Sequence, residues 1–354
     1  MYLHFLVQSI SLSNICHLVS ILLQLYTSVP NGPDPHIFSD DITWFLIFLM
    51  VFILTGGFLY FRWANKRFRE ENKNLTDKLS ERAHQVMIQK WELERRNLTV
   101  SQQNAEIIDS LHYARNIQTA ILPKTDSILE SFKDAFILYK PKDIVSGDFY
   151  FFEKMENTVI LAIADCTGHG VAGAFMSMVG SSLLHQIIGQ KQIKEPARIL
   201  ELLNDGIVEA LKQKESESHA GMDIALCCID LQTKVLTYAG ANRPLYYIRN
   251  FIADSLKPDK LPIGGFRPDE DRVFTQQTLK IEENDVIYLY SDGYADQFGG
   301  VQGKKIMTRK FKDLLLSIHS SPMKEQQKTL DEYFESWRGR YEQVDDVLVA
   351  GIRI

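Results

Sequence analysis

The first 61 residues of this 354-residue chain contain neither lysine nor arginine. The basic region that opens a secretory signal peptide is therefore missing there, and no cleavage pattern follows. Cysteine is scarce. Cys16, Cys166, Cys227 and Cys228 have neither the spacing of a zinc site nor that of a disulfide framework. Cys227 and Cys228 are neighbours in an apolar run, so on a strand they face opposite sides as small core residues, and a reducing compartment is the simplest setting. Excess positive charge is absent as well. The net charge is −6, and no stretch joins a basic stripe to aromatic residues, which excludes a nucleic-acid binder. The chain has no internal repeat. It also has no glycine loop built to cradle a nucleotide, which disfavours a hydrolase of nucleotides or small phosphate esters.

What is present is ordinary in bulk: 45% hydrophobic and 24% charged residues, enough for one large domain with appendages or for two domains. Residues 42–61 form an uncharged apolar run of 20 residues, the length of a bilayer core at the helical rise. Trp44 and Tyr60 supply interfacial aromatics. Arg62, Lys66, Arg67 and Arg69 follow at once, whereas Asp34, Asp40 and Asp41 precede. This asymmetry predicts a transmembrane helix over 42–62 in the inner (cytoplasmic) membrane, with everything beyond it cytoplasmic. Residues 2–29 are apolar but interrupted by polar side chains such as Gln8, Asn14 and Gln24. They read either as a weak first span or as an uncleaved leader, so the chain crosses once or twice, and 1–41 is this segment with a short extracytoplasmic loop.

Residues 64–122 are polar, charged and free of proline, the pattern of one long helix. Leu79, Val86, Leu93, Val100, Ile107, Ala114 and Ile121 recur every seven residues, while Arg82, Gln89, Arg96 and Gln103 occupy most of the companion track. Half a seam is apolar and half polar, which predicts a weak coiled coil that joins two copies of the chain and switches between packings. A solvated single helix is the competing reading.

Pro123 ends that helix, and residues 123–354 form the soluble unit. Strands are expected near 135–140, 148–153, 158–164, 222–230, 234–240, 244–248, 272–279, 285–290 and 346–353. Helices are expected near 170–189, 196–213, 304–318 and 323–338. Strands in runs and helices in pairs point to an α+β fold of antiparallel sheets with helices packed outside.

Within this unit, aspartates recur beside apolar strands. Asp165 follows Val159–Ala164 and opens the turn Asp165-Cys166-Thr167-Gly168-His169-Gly170, where Gly168 and Gly170 let backbone approach a ligand. Ser146-Gly147-Asp148 precedes an aromatic run, Ser291-Asp292-Gly293 follows one strand, and Asp345-Asp346 precedes the last. Singly, each has the ordinary explanation of a turn or strand end. If the four ends converge, the charges repel unless a cation lies between them. Oxygen donors without a histidine or cysteine cluster select a hard ion, Mg²⁺ or Mn²⁺. Several carboxylates can hold two such ions with water between them, an arrangement that activates the water and clamps phosphoryl oxygens.

These four elements, in this order and spacing, resemble the PPM (type 2C) metal-dependent Ser/Thr protein phosphatases, and most specifically their bacterial SpoIIE-type, RsbU-like branch. The resemblance covers residues 110–354, including the lead-in Tyr113-Ala114-Arg115-Asn116-Ile117-Gln118 and the stretch Tyr238-Ala239-Gly240-Ala241-Asn242-Arg243-Pro244-Leu245. It implies a four-layer α-β-β-α sandwich with a two-ion centre at one edge. Carried over by position, Asp148 and Asp165 hold the ions, Cys166 offers its backbone carbonyl, Asp292 and Asp345 complete the ligands, and Asp346 supports them from behind. It also implies a phosphoserine or phosphothreonine substrate on a regulatory protein such as an anti-sigma-factor antagonist. A phosphatase fold retained only as a signalling scaffold is the alternative, which the presence of all four aspartates disfavours. Two departures stand out. Where eukaryotic relatives place a phosphate-gripping arginine, this chain has Lys140 and Lys142, and His169 lies four residues after Asp165 rather than two. His169 is therefore expected to orient the turn or cap the helix, and Asp223 to bond locally beside its strand or to meet a further ion. Arg243 stabilises a loop or binds phosphate.

Overall fold

The computed structural model describes residues 39–216, 218–265 and 272–354, with residues 17, 20, 21 and 24. The expected first hydrophobic segment, 2–29, and most of the loop that follows it lie outside the described residues. Contacts within the chain fall into two units, Met1–Leu98 and Thr99–Ile354.

In the first unit the backbone is helical from Ser39 onward, as part of α1 (Ser39–Ile121). Among the described residues nothing covers its apolar run: Trp44, Phe48 and Phe52 are 70%, 74% and 69% exposed. The polar stretch beyond is supported by ion pairs one turn apart, including Arg67 with Glu71 at 3.5 Å and Arg96 with Glu92 at 2.8 Å. Leu79, Val86 and Leu93 are exposed along it. By length and composition, two helices among the described residues could cross a membrane. One holds this run, and the other, Gly170–Gln190, is half buried in the second unit.

The second unit begins with the last turns of α1, and the chain then runs α2 (Thr125–Leu129), β1 (Asp134–Lys140), β2 (Phe149–Met155), β3 (Thr158–Cys166), α3 (Gly170–Leu184), α4 (Pro196–Ala210), β4 (Gly221–Asp230), β5 (Val235–Ala241), β6 (Leu245–Arg249), β7 (Ile252–Leu256), β8 (Ile263–Gly264) and β9 (Gln277–Lys280). It continues through β10 (Val286–Tyr290), α5 (Gly293–Asp296), β11 (Phe298–Gly299), β12 (Lys304–Lys305), α6 (Thr308–Ile318), α7 (Met323–Arg338) and β13 (Val347–Arg353). One sheet has the order β1-β13-β10-β6-β7; the other has β2-β3-β4-β5-β9, with β8 on β4. Every ladder between strands of these sheets is antiparallel.

Strand alternation builds the layers. In β3, Val159, Leu161 and Ile163 meet Ile287, Leu289, Leu348 and Ala350 of the opposite sheet. The intervening Ile160, Ala162 and Ala164 pack against Met176 and Leu184 of α3 and Ile199 and Leu203 of α4. Across the sandwich, Tyr288, Tyr290, Val347 and Val349 turn outward onto Phe311, Leu330 and Phe334 of α6 and α7. Both faces of the central strands are thus buried, which is why they read as continuous apolar runs. The result is four layers, α-β-β-α.

Local differences from the expected elements have local causes. The strand expected from 272 starts only at Gln277, because Thr275 gives its N–H (2.7 Å) and hydroxyl (3.1 Å) to the Asp259 carboxylate instead of to a ladder. The helix expected from 304 starts at Thr308. Met307 has φ +71°, which breaks the helix, and Lys304–Lys305 pair with Phe298–Gly299. Strand β7 was not expected. It follows a two-residue turn, Asn250-Phe251, with both residues at positive φ (49° and 66°), and Phe251 is not the glycine that usually marks such a turn. The domain also starts before Pro123, since Gln118 is already buried in it.

Candidate functional site

In antiparallel ladders the end of one strand lies beside the start of the next. Asp148 enters β2, Asp165 ends β3 and Asp223 enters β4, with Asp165 directly opposite Asp223. In the other sheet, Asp292 leaves β10 and Asp345 precedes β13, its partner. One edge of the sandwich therefore gathers acidic residues from both sheets. Asp165, Cys166, Asp223, Asp292 and Asp345 line a cleft of about 220 Å³ there, with the turn Thr167–His169 on its wall. A larger hollow of about 530 Å³, lined by Ile121, Met178, Ser182, His185, Gln186 and Gln190, carries no carboxylate.

Close backbone packing sets the geometry. Gly168 and Gly170 adopt φ +88° and +62°, the left-handed conformations the turn needs. A Cβ on Gly173, in the first turns of α3, would lie 2.3 Å from the Gly168 carbonyl oxygen and 2.7 Å from Gly147 Cα. The loop before Asp148, the turn after Asp165 and α3 can be this close only without side chains. The buried Asp346 carboxylate accepts from the Lys142 and Gly147 N–H groups, both at 2.7 Å, and so clasps the loop leading to Asp148. Gln118 reaches the same loop: its side-chain amide donates to Ser146 O (2.6 Å) and Ser177 Oγ (2.8 Å), and its oxygen accepts from Ser146 N–H (3.1 Å). Ser146 Oγ accepts from the Asp148 N–H at 3.0 Å.

The electrostatics are those of crowded anions. Burial and the neighbouring Asp165 push the Asp148 carboxyl well above its ordinary range, and its Oδ2 is buried without a hydrogen-bond partner. Burial likewise pushes Asp165 up to about 7; Arg243 pulls the other way, and Asp292, Asp345 and Asp223 push further up. Asp345 is raised by burial in the same way. A guanidinium stands among them: Arg243 Nη2 lies 2.8 Å from Asp165 Oδ2, 2.6 Å from Asp292 Oδ2 and 3.3 Å from Asp223 Oδ2. Among the described residues, no three His, Cys, Asp or Glu side chains are drawn around one point as an ion would draw them. The donor set still fits a hard cation. It consists of carboxylates, one of them with an unsatisfied buried oxygen, and their repulsion is only partly offset by a single guanidinium.

The other expected residues fall as follows. The Cys166 thiol is buried in the helix–sheet core. His169 occupies the N-cap position of α3 but its side chain makes no capping bond; its Nδ1 is 3.0 Å from Asp143 Oδ2, and both side chains are about half exposed. Asp223 accepts from the Asn242 side-chain amide at 2.8 Å. Lys142 lies close enough to Asp345 to favour its ionised form. Lys140 is not at the cleft. It ends β1 on the face that carries Phe136 and Leu138 toward α7, where it pairs with Asp331 and with Glu335 and lies over the Phe334 ring. The central place of Arg243, the Asp143–His169 pair and the Gln118 clasp were not read from the sequence. Only the Asn-Arg-Pro turn ending β5 hinted at the first.

A fold of two antiparallel sheets between helices, with strand-end aspartates at one edge, defines a phosphatase domain of the PP2C type. Residues 155–354 match the family described as Stage II sporulation protein E (SpoIIE), and the chain belongs to that family. It is 28% identical over 198 residues to the phosphoserine phosphatase RsbU of Bacillus subtilis (strain 168), a match covering 54% of this chain and 55% of that relative, so the chain spans about half of that protein's length. The SiaA-PP2C domain of Pseudomonas aeruginosa superposes with a TM-score of 0.64 at 30% identity, over 71% of this chain and 98% of that domain. The PP2C phosphatase domain of SpoIIE from Bacillus subtilis, solved with a fragment of its regulatory domain, shares the fold, with a TM-score of 0.51 at 19% identity over 62% and 63% of the two chains.

Proposed function

We propose that this chain is a membrane-anchored, metal-dependent phosphatase of phosphoserine or phosphothreonine on a regulatory protein, acting on the cytoplasmic side. The observation that carries the reading is the meeting of Asp165, Asp292 and Asp345 from two sheets at one cleft, with Asp148 buried close enough to feel the charges of Asp165 and Asp345 and one of its oxygens unpaired. PP2C-type phosphatases are Mg²⁺- or Mn²⁺-dependent. The groups that would hold such ions here, two in number, are those four carboxylates and the Cys166 carbonyl. Bound there, the metal supplies an acidified water and neutralises phosphoryl oxygens. The chain's own part is positional. Asp346 and Gln118 fix the loop that presents Asp148, and the glycine turn holds Asp165 and the Cys166 carbonyl at the cleft wall. Lys142, beside Asp345, is the basic residue placed to meet a phosphate.

Anchoring is supported by the apolar run from Trp44 to Phe61, which the other described residues leave exposed, and by Arg62, Lys66, Arg67 and Arg69 directly after it. Pairing of two copies is supported by the exposed seven-residue track Leu79, Val86, Leu93, Val100 and Ile107. RsbU is a phosphoserine phosphatase, which favours a phosphorylated regulator, such as an anti-sigma-factor antagonist, over a small ester. Phosphate release from phosphoserine protein compared with small phosphate esters tests the reading; preference for the esters would refute it.

A further inference from the structure

Arg243 lies in the turn that carries the chain from β5 in one sheet to β6 in the other, where the two acidic edges meet. The turn is pinned. The Arg243 N–H donates to the Ala241 carbonyl at 2.7 Å, and its own carbonyl accepts from the Tyr238 hydroxyl. Asn242 before it takes φ +59°, gives its N–H to Asp259 O (2.8 Å) and gives its side-chain amide to Asp223. The guanidinium is therefore delivered to the carboxylates by a built turn.

Its surroundings show what it is held for. The side chain is 14% exposed, and a single nitrogen, Nη2, faces Asp165, Asp292 and Asp223 together. Its Nε is buried with no hydrogen-bond partner. A guanidinium placed to satisfy its forked donors would not leave Nε idle in the interior. This one is kept for its charge. A divalent ion bound by Asp165 and Asp292 would sit about 2.1 Å from carboxylate oxygens of the residues that Nη2 already faces, and at that range the guanidinium and the ion repel each other.

Resting on the metal-dependent reading above, we propose that Arg243 is a built-in competitor of the metal: its charge balances Asp165 and Asp292 and opposes a divalent cation that takes the same carboxylates. The competition lowers apparent metal affinity through the repulsion between the two cations, and the same charge shields the fold from carboxylate repulsion when no metal is bound.

The test is calorimetric titration of Mn²⁺ into the full chain in detergent, for wild type, R243Q and R243K, with thermal unfolding in chelator and in saturating Mn²⁺. R243Q is expected to bind Mn²⁺ about tenfold more tightly or better, with R243K in between. R243Q should unfold earlier than wild type in chelator and together with it in Mn²⁺. Equal or weaker binding by R243Q, or an equal loss of stability with and without Mn²⁺, would overturn the proposal while leaving the metal-dependent reading standing. If R243Q does not fold without metal, R243K decides: tighter binding than wild type supports the competition, and unchanged or weaker binding overturns it. No Mn²⁺ binding by any of the chains would overturn both.

Discussion

Asp165→Asn removes a charge from the centre and leaves its shape nearly intact. In the folded chain the Asp165 carboxyl titrates at about 7 instead of 3.8, mainly because it is buried. The folded state therefore keeps a proton that the unfolded chain has released between about pH 4 and 7. Stability of the metal-free protein falls as pH rises through that window, and the loss is complete above it. At about 1.4 kcal/mol per pH unit the full cost is at most about 4 kcal/mol, and Asp148, also pushed upward, shares it. Asparagine does not ionise, so Asp165→Asn should escape this cost while losing its charge pairing with Arg243. Even a third of the cost is worth about 3 °C in a domain of this size. The assay is thermal unfolding of both proteins in chelator at pH 5 and pH 8, then with Mg²⁺. The variant should gain on wild type between pH 5 and 8, Mg²⁺ should raise the wild-type midpoint alone, and phosphatase activity should be abolished in the variant. A midpoint difference that does not move with pH, or a variant hydrolysing phosphoserine at the wild-type rate, would refute the reasoning.

Gln118→Leu leaves the buried N–H of Ser146 without a partner and its carbonyl with only the Ser177 hydroxyl at 3.4 Å; at about 1–3 kcal/mol for an unpaired buried group, the midpoint should fall by several degrees, and Mn²⁺ binding should weaken as the loop to Asp148 loosens. An unchanged midpoint and affinity would make the clasp incidental. Protease added to sealed, right-side-out cells should leave residues 123–354 intact, and their digestion would reverse the proposed topology. Replacing Gln89, Arg96 and Gln103 together with leucine should strengthen pairing in sedimentation and fix activity high or low, because polar residues on that track weaken the seam. A monomer with wild-type activity would make the helix a spacer.

The strands and layers were legible because β3, β4, β10 and β13 are buried on both faces, and such strands cannot avoid continuous apolar runs. The acidic edge was legible for a related reason: Asp148, Asp165, Asp292 and Asp345 each sit where an apolar run starts or stops. What escaped were side-chain encounters across the fold. Lys140 and Lys142 differ by two residues, yet one ends a strand facing α7 and the other lies in the loop beside Asp345. Arg243 meets residues 78 and 49 positions away, Asp165 and Asp292, through a turn that joins the two sheets. Gln118, in a helix that reads as polar linker, turns inward in its last turns because Ser146 and Ser177 need its amide. No period or motif announces such contacts.

The most direct measurement is phosphate release by the full chain from a phosphoserine-bearing regulatory protein of its own cell, in chelator, in Mg²⁺ and in Mn²⁺, with Asp165→Asn alongside. Release that requires metal, exceeds that from small phosphate esters and vanishes in the variant is the predicted result. Release in chelator, or release by the variant at the wild-type rate, would contradict the account.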